Sequence, residues 1–170
     1  MKISTLSRAR ARFWTQFCVL SVALAAASAF AQEPAPEPLT AFPQSLLAIR
    51  TASGSVLNFK IWTADRPGRQ EQGLMFVRDM DDHAGMLFVF PAVKPISMWM
   101  KNTYLSLDML FIDSDGRIAY IFPHAKPYSL DIINAPKPAR AVLELKGGIA
   151  EQLGIKVGDH VVGHNFGGSK

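Results

Sequence analysis

Leu107-Asp108-Met109-Leu110-Phe111-Ile112-Asp113-Ser114-Asp115-Gly116-Arg117-Ile118-Ala119-Tyr120-Ile121-Phe122 is the stretch that decides the fold. Residues 109–112 are apolar at every position, as in a strand buried on both faces. Ser114-Asp115-Gly116 follows, and an Asp-Gly pair between two apolar runs signals a tight hairpin. The stretch therefore reads as two strands, 107–113 and 117–122.

The same pattern extends outward. Upstream, 85–90 and 96–101 read as strands, and 46–51 and 55–64 flank Ala52-Ser53-Gly54 as a hairpin. In the second of these, Leu57, Phe59 and Ile61 share one face while Asn58 and Lys60 take the other. Asp65 is placed to cap a short helix over 66–72, with Pro67 in its first turn and Gly73 at its exit. Downstream come a Pro-rich loop over 123–138, a strand over 139–146, a short helix within 147–154 and a last strand over 159–164. There is no internal repeat and no heptad pattern. Short strands, few helical residues and many Gly/Pro turns give a mainly β, β-rich α+β class: a small barrel-like or half-closed domain with one or two short helices. It is expected to span 44–166, with a flexible tail at 167–170.

The N-terminus reads as a secretory signal peptide. Lys2, Arg8, Arg10 and Arg12 precede an apolar run, 17–30, too short and too rich in Ala and Ser for a membrane span of about 20 residues. Ala29-Phe30-Ala31 supplies the small residues for cleavage after Ala31, so 1–31 is expected to be removed and the domain to work in the periplasm or outside the cell, free of the membrane; the alternative is an uncleaved N-terminal anchor, which the Ala-rich run and its exit disfavour. Cys18 has no small-residue site just before it, which speaks against a lipid anchor. Residues 32–43 read as a Pro-rich, extended, disordered spacer. Charge changes meaning once 1–31 is set aside. The net charge of +4 comes from 18 basic and 14 acidic residues, and four basic but no acidic residues lie in that segment. The remainder is neutral, so a nucleic-acid or anionic-membrane partner loses its support. The single cysteine leaves as well, so stability must come from an ordinary core rather than a disulfide framework.

Four segments carry a resemblance: Gly73-Leu74-Met75; Gly85-Met86-Leu87-Phe88; Trp99-Met100-Lys101-Asn102-Thr103 with Leu107-Asp108 following; and Val142-Leu143-Glu144-Leu145 with Gly158-Asp159 near the end. In that order they resemble the domain of unknown function 192 family of exported or membrane-anchored prokaryotic proteins, over about 45–165. The resemblance implies a β-rich single domain and no known reaction.

Candidate site residues follow from residue chemistry. On an extended strand Met98, Met100 and Asn102 point one way and Trp99 and Lys101 the other. The methionines and Trp99 then either fill core, or Trp99 and Asn102 line a pocket mouth, an aromatic face for stacking beside an amide that donates and accepts. Met98 and Met100 together are a third possibility, soft thioether ligands for Cu(I), with His83 or His124 to complete the set. Asp108 opens an apolar strand, where an unpaired carboxylate is costly. It is either an acceptor for backbone N–H groups or for Arg66 or Arg69, or a general base or ligand-binding group. Arg66, Arg69 and Glu71 read as a solvated face, with Arg69 able to grip an anion bidentately. Glu144 alternates with Leu143 and Leu145 and so is expected to face away from the core, a weak candidate. No nucleotide-binding fingerprint, nucleophile elbow or metalloprotease motif is present.

Aromatic, amide and carboxylate without a nucleophile or metal cluster favour binding over turnover. The expectation is a periplasmic binding or accessory domain for a small polar ligand or an envelope glycan, held by Trp99, Lys101, Asn102, Asp108 and Arg69, with no cofactor and no nucleic acid. The alternatives are an envelope carbohydrate hydrolase or lyase using Asp108, with no clear second carboxylate beyond Glu71 or Glu144, and a Cu(I)-binding protein using Met98 and Met100. Nothing in the sequence specifies an oligomeric state.

Overall fold

The computed structural model describes residues 35–166. The expected signal peptide, the start of the spacer and the tail lie outside the described residues. Nine strands form: β1 (Gln44–Arg50), β2 (Val56–Ala64), β3 (Ala84–Lys94), β4 (Ser97–Met98), β5 (Leu107–Ile112), β6 (Ile118–Ala125), β7 (Ile133–Asn134), β8 (Ala139–Lys146) and β9 (His160–Val162). Two short helices, α1 (Pro67–Gln72) and α2 (Ile149–Gln152), complete the set. No helix among the described residues is long and apolar enough to cross a membrane.

Seven strands make one sheet in the order β6-β5-β8-β3-β2-β1-β9, antiparallel except for the parallel pair β2–β3. Its outer strands approach at one end only. There the Ile118 N–H donates to the Asp159 carbonyl at 2.8 Å and the Val161 N–H to the Gly116 carbonyl at 2.7 Å. The result is a half-closed barrel. The hairpin read from Asp115-Gly116 is present, with Gly116 at φ 85° and the Asp113 carboxylate accepting the N–H groups of Asp115 and Arg117.

Side-chain alternation sorts the apolar residues into two layers. Leu47, Phe59, Leu87, Leu110, Ile118, Leu143 and Val161, one from each strand of the sheet, belong to an inner cluster. The other face holds an outer cluster with Met86, Phe88, Met109, Phe111 and Val142, covered by Leu74, Ile96, Met100 and Ile133 from the connections. Five buried methionines, at 80, 86, 98, 100 and 109, lie in the outer cluster and none in the inner one. β5 is buried at all six positions, as its sequence demands.

β3 and β8 approach closely at Gly85. A Cβ there would stand 2.5 Å from the Glu144 carbonyl and 2.8 Å from Leu145 Cδ2. Gly85→Ala is therefore expected to destabilise by about 2–3 kcal/mol, because central backbones must separate. Urea denaturation of the variant measures it, and an unchanged midpoint would contradict this packing.

Three expectations are corrected. The strand over 96–101 stops after Met98, and β4 pairs with β7 in a separate ribbon. The chain then turns through Asn102, whose φ of 55° is left-handed, a conformation Asn tolerates better than most. Asp65 does not cap α1; Arg66 is the N-cap, without a side-chain bond, and Asp65 instead accepts from Arg69 at 3.1 Å. The spacer is docked in its described part. Glu37 bonds Arg66 and Arg69, Gln72 holds both the N–H and the carbonyl of Glu37, Leu39–Ala41 form a 3-10 turn, and Phe42 is buried. Proline stiffness lowers the entropy lost on docking, and these charged contacts fix where the segment lies.

Candidate functional site

The sheet's outer face carries a cleft of about 50 Å³ where α1, the turn after it, β3, β8 and the 99–103 turn meet. Its lining includes Glu71, Met75, Trp99, Lys101, Thr103 and Glu144. Each arrives by a different local device. α1 ends at Gly73, φ 50°, whose Cα lies so close to Phe88 that a Cβ would touch the ring at 3.0 Å, and Leu74 is buried just beyond it. Met75 is thereby turned toward the cleft. The 99–103 turn is pinned on both flanks. The Phe76 N–H donates to the Asn102 carbonyl at 2.9 Å, Tyr128 N–H to Thr103 at 3.2 Å, and Met100 N–H to Ser129 at 3.1 Å. Phe76, Asn102 and Tyr128 are three of the four non-glycine residues with positive φ among those described. Such strain gathers where surrounding structure fixes a local geometry.

Glu144 lies in the cleft wall and is 3% exposed. In register it stands between Met86 of β3 and Met109 of β5, both fully buried. It makes no hydrogen bond or ion pair with any described residue, and burial pushes its carboxyl up to about 8. The group is therefore mostly uncharged at neutral pH, a donor as well as an acceptor. Trp99 is 37% exposed at the rim, with the Lys101 ammonium 5.6 Å from its ring centroid. Four other polar side chains of the lining already have partners, Gln70 on the Val89 carbonyl, Gln72 on Glu37, Ser97 on Asn134 and Thr103 on the Lys101 carbonyl, while Glu71 is exposed to solvent. Broader depressions of about 290 and 280 Å³ lie along β2 near Lys60, Asp81 and Ala84. They are larger, yet neither holds a buried carboxyl without a partner, so chemistry rather than size selects the cleft over Glu144.

The structure brings Trp99, Lys101, Met98, Glu71 and Glu144 to this cleft and leaves Asn102, Arg69, Asp108 and Met100 outside its lining. Asn102 makes the turn, with its amide 4.0 Å from Met75 Sδ. Arg69 is used up by Glu37, Asp65 and the Ala41 carbonyl and lies against Phe42. Asp108 pairs in register with Leu145, so it lies on the inner face, opposite to Glu144, where it accepts the N–H groups of His124, Gly148 and Ala150, each at 2.9 Å. Met98 lines the cleft, whereas Met100 is wholly buried and is not part of its wall. His83 packs on Phe59 and His124 lies beside Glu151, so neither joins the two methionines. Among the described residues no three of His, Cys, Asp or Glu gather as a metal set.

Glu144, expected to face away from the core, is buried instead. Alternation placed it correctly on the face opposite Leu143 and Leu145, but that face is a second apolar layer rather than solvent. The signal lay in 109–112: a neighbouring strand apolar on both sides implies that β8 is covered on both sides too.

Part of each of the four segments that carried the family resemblance meets here, through Gly73, Leu74 and Met75, Phe88, Trp99, Lys101 and Thr103, and Glu144, while Asp108 and Gly158-Asp159 lie elsewhere. The profile of the DUF192 family, described as an uncharacterised ACR, matches residues 48–163. A Sinorhizobium meliloti 1021 protein, described as a candidate transcription regulator, is similar at 43% identity and a TM-score of 0.73, over 74% of this chain and 97% of its own. A protein of unknown function from Novosphingobium aromaticivorans DSM 12444 is 34% identical, with a TM-score of 0.71, over 78% of this chain and 94% of its own. No curated protein matches the chain. With part of each signature segment converging on one cleft and its profile match covering most of its length, the chain belongs to the DUF192 family.

Proposed function

We propose that this is an exported, periplasmic binding or accessory domain that receives one end of a small polar ligand in the cleft over Glu144. The observation that carries the reading is a buried carboxyl without a partner, facing a cleft rimmed by an exposed indole. A carboxyl in apolar surroundings is costly unless something occupies it, and such groups concentrate at functional sites. The cleft has room for about three or four water molecules, so an envelope sugar would enter by one substituent while its ring stacked on Trp99. A nucleic-acid reading, prompted by the description of the Sinorhizobium relative, has little to build on. α1 is six residues long and α2 four, and residues 32–170 carry no net charge.

A thermal-shift and tryptophan-fluorescence screen of the purified protein against sugars, amino acids, amines and metal ions tests the proposal. A ligand is expected to stabilise the wild type and to lose its effect in Trp99→Ala, which itself costs only about 1 kcal/mol because the side chain is partly exposed. Equal stabilisation of the variant by every ligand found would remove the cleft from consideration. Glu71 lines the same cleft as Glu144, which favours a second reading: a carbohydrate hydrolase or lyase with Glu144 as acid and Glu71 as base, in place of Asp108. Turnover of a glycoside, lost in Glu144→Gln, would select it.

A further inference from the structure

We propose that the group admitted by this cleft is a primary ammonium, bound as an ion pair to Glu144 with release of the carboxyl proton to solvent. The proposal rests on the reading of the cleft as a binding site. The exchange balances simply: R–NH3+ enters, the Glu144 O–H bond breaks, one proton leaves to water, and a carboxylate–ammonium pair remains.

Complementarity selects the ammonium. Gln70, Gln72, Ser97 and Thr103 are satisfied within the protein, so Glu144 is the buried polar group in the wall with nothing to bond. An ionised carboxylate only accepts, and its natural complement is a positive group rich in N–H. The space, about 50 Å³, suits a –CH2–NH3+ end and is too small for a whole sugar ring. The approach suits it as well. Trp99 presents a face that attracts cations, and the Lys101 ammonium already stands 5.6 Å from its centroid.

Charge at the site is set by Glu144 itself. The charged groups facing it are Glu71 of α1 and Lys101 of the 99–103 turn, while β3 and β5 contribute only Met86 and Met109 at its sides. Ionisation of Glu144 adds a negative charge to a lining whose other charged side chains are one acidic, Glu71, and one basic, Lys101. Burial raises the carboxyl to about 8, so below that pH a bound ammonium must displace its proton.

Ethylammonium chloride is the probe, with ethanol as the neutral counterpart and sodium acetate as the anion. Two readouts are followed in the purified protein: tryptophan fluorescence and the 13C NMR signal of the Glu144 carboxyl, assigned by its absence in Glu144→Gln. Ethylammonium is expected to bind saturably in the millimolar range, as suits three heavy atoms. Its affinity should rise about tenfold per unit between about pH 6 and pH 7.5. The carboxyl signal should move to the ionised position on binding, and calorimetry in two buffers of different ionisation enthalpy should show about one proton released near neutral pH. The titration is followed in the wild type, and the variant, whose side chain keeps the same shape, serves only to assign the signal. If ethanol or a sugar binds at the same cleft with pH-independent affinity while Glu144 keeps its proton, the ammonium proposal is overturned and the binding reading stands. If neither ethylammonium nor any ligand of the wider screen perturbs Trp99 or Glu144, both fall.

Discussion

Replacing Glu144 by glutamine is expected to make the protein more stable above neutral pH, by on the order of 3–5 kcal/mol, rather than less. The carboxyl titrates at about 8 in the fold against 4.5 in an exposed chain, with burial between Met86 and Met109 as the cause. Between those values the folded state holds a proton that the unfolded state has released. Stability that depends on this proton is fully present below 4.5 and declines as pH rises, by up to about 1.4 kcal/mol per unit, until it is gone above about 8. Glutamine keeps the shape and never ionises, so the variant escapes the decline. Urea denaturation at about pH 5, 7 and 9 should show the wild type losing stability along the series and Glu144→Gln far flatter. Other shifted groups do not mimic this trend. Glu37, whose carboxyl is lowered chiefly by the hydrogen bond from Arg69, loses stability as pH falls, below the usual carboxylate range. A wild type whose stability is flat from pH 5 to 8 would mean that Glu144 is solvated or paired, and the cleft would lose its defining group.

This cost is informative because the sheet offers a simple way to avoid it. A leucine at 144 would continue the apolar outer layer that Met86, Met109 and Val142 already make. Surroundings that favour an apolar residue, occupied instead by a carboxyl with no partner, mark the kind of local conflict expected at functional sites. The methionines fit the same view. Their flexible side chains adapt to irregular space, and they occupy the layer beneath the cleft, while the branched side chains of the inner cluster fill the barrel.

What could be read from the sequence separates along a physical line. Local signals held at the turns and in the doubly buried strand, though not at Asp65, which was expected to cap α1 and instead accepts from Arg69. Asp115-Gly116 turned the hairpin, residues 109–112 formed a strand buried on both sides, and Gly73 ended α1. Tertiary contacts overrode composition where it argued alone. Residues 37–42 read as spacer because they are Pro-rich, yet Arg66, Arg69 and Gln72, some thirty residues away in sequence, hold Glu37 in place. Likewise 96–101 has strand-like residues, but the turn at Asn102 depends on hydrogen bonds from Phe76 and Tyr128, which no sequence window around residue 100 contains. Trp99 and Lys101, singled out for their chemistry, both line the cleft over Glu144. Glu144 was placed on the correct face, and its burial went unread because what covers that face comes from distant connections.

Asp108→Asn is expected to cost about 3–5 kcal/mol and to leave the cleft able to respond to ligand. Asp108 Oδ1 accepts the His124 N–H and Oδ2 those of Gly148 and Ala150. Two of these donors belong to backbones with positive φ, His124 at 50° and Gly148 at 92°. For His124 that conformation costs about 1 kcal/mol or more, so something must hold it. Gly148 and Ala150 lie at the start of α2, a four-residue helix whose N-cap glycine has no side chain to satisfy its first N–H groups. Such a helix is far too short to persist alone, and a carboxylate from β5 caps it across the fold. Asparagine offers one oxygen where aspartate offers two, and its NH2 must face a backbone N–H whichever way the amide turns. One or two buried donors are then left without an acceptor, with donor set against donor. Denaturation gives the stability loss. The Trp99-dependent ligand response of the folded fraction gives the second readout, and it should survive because Asp108 lies on the opposite face of the sheet from Glu144. A variant that keeps its stability but loses the ligand response would reverse the assignment, making Asp108 part of the binding site and the backbone contacts incidental.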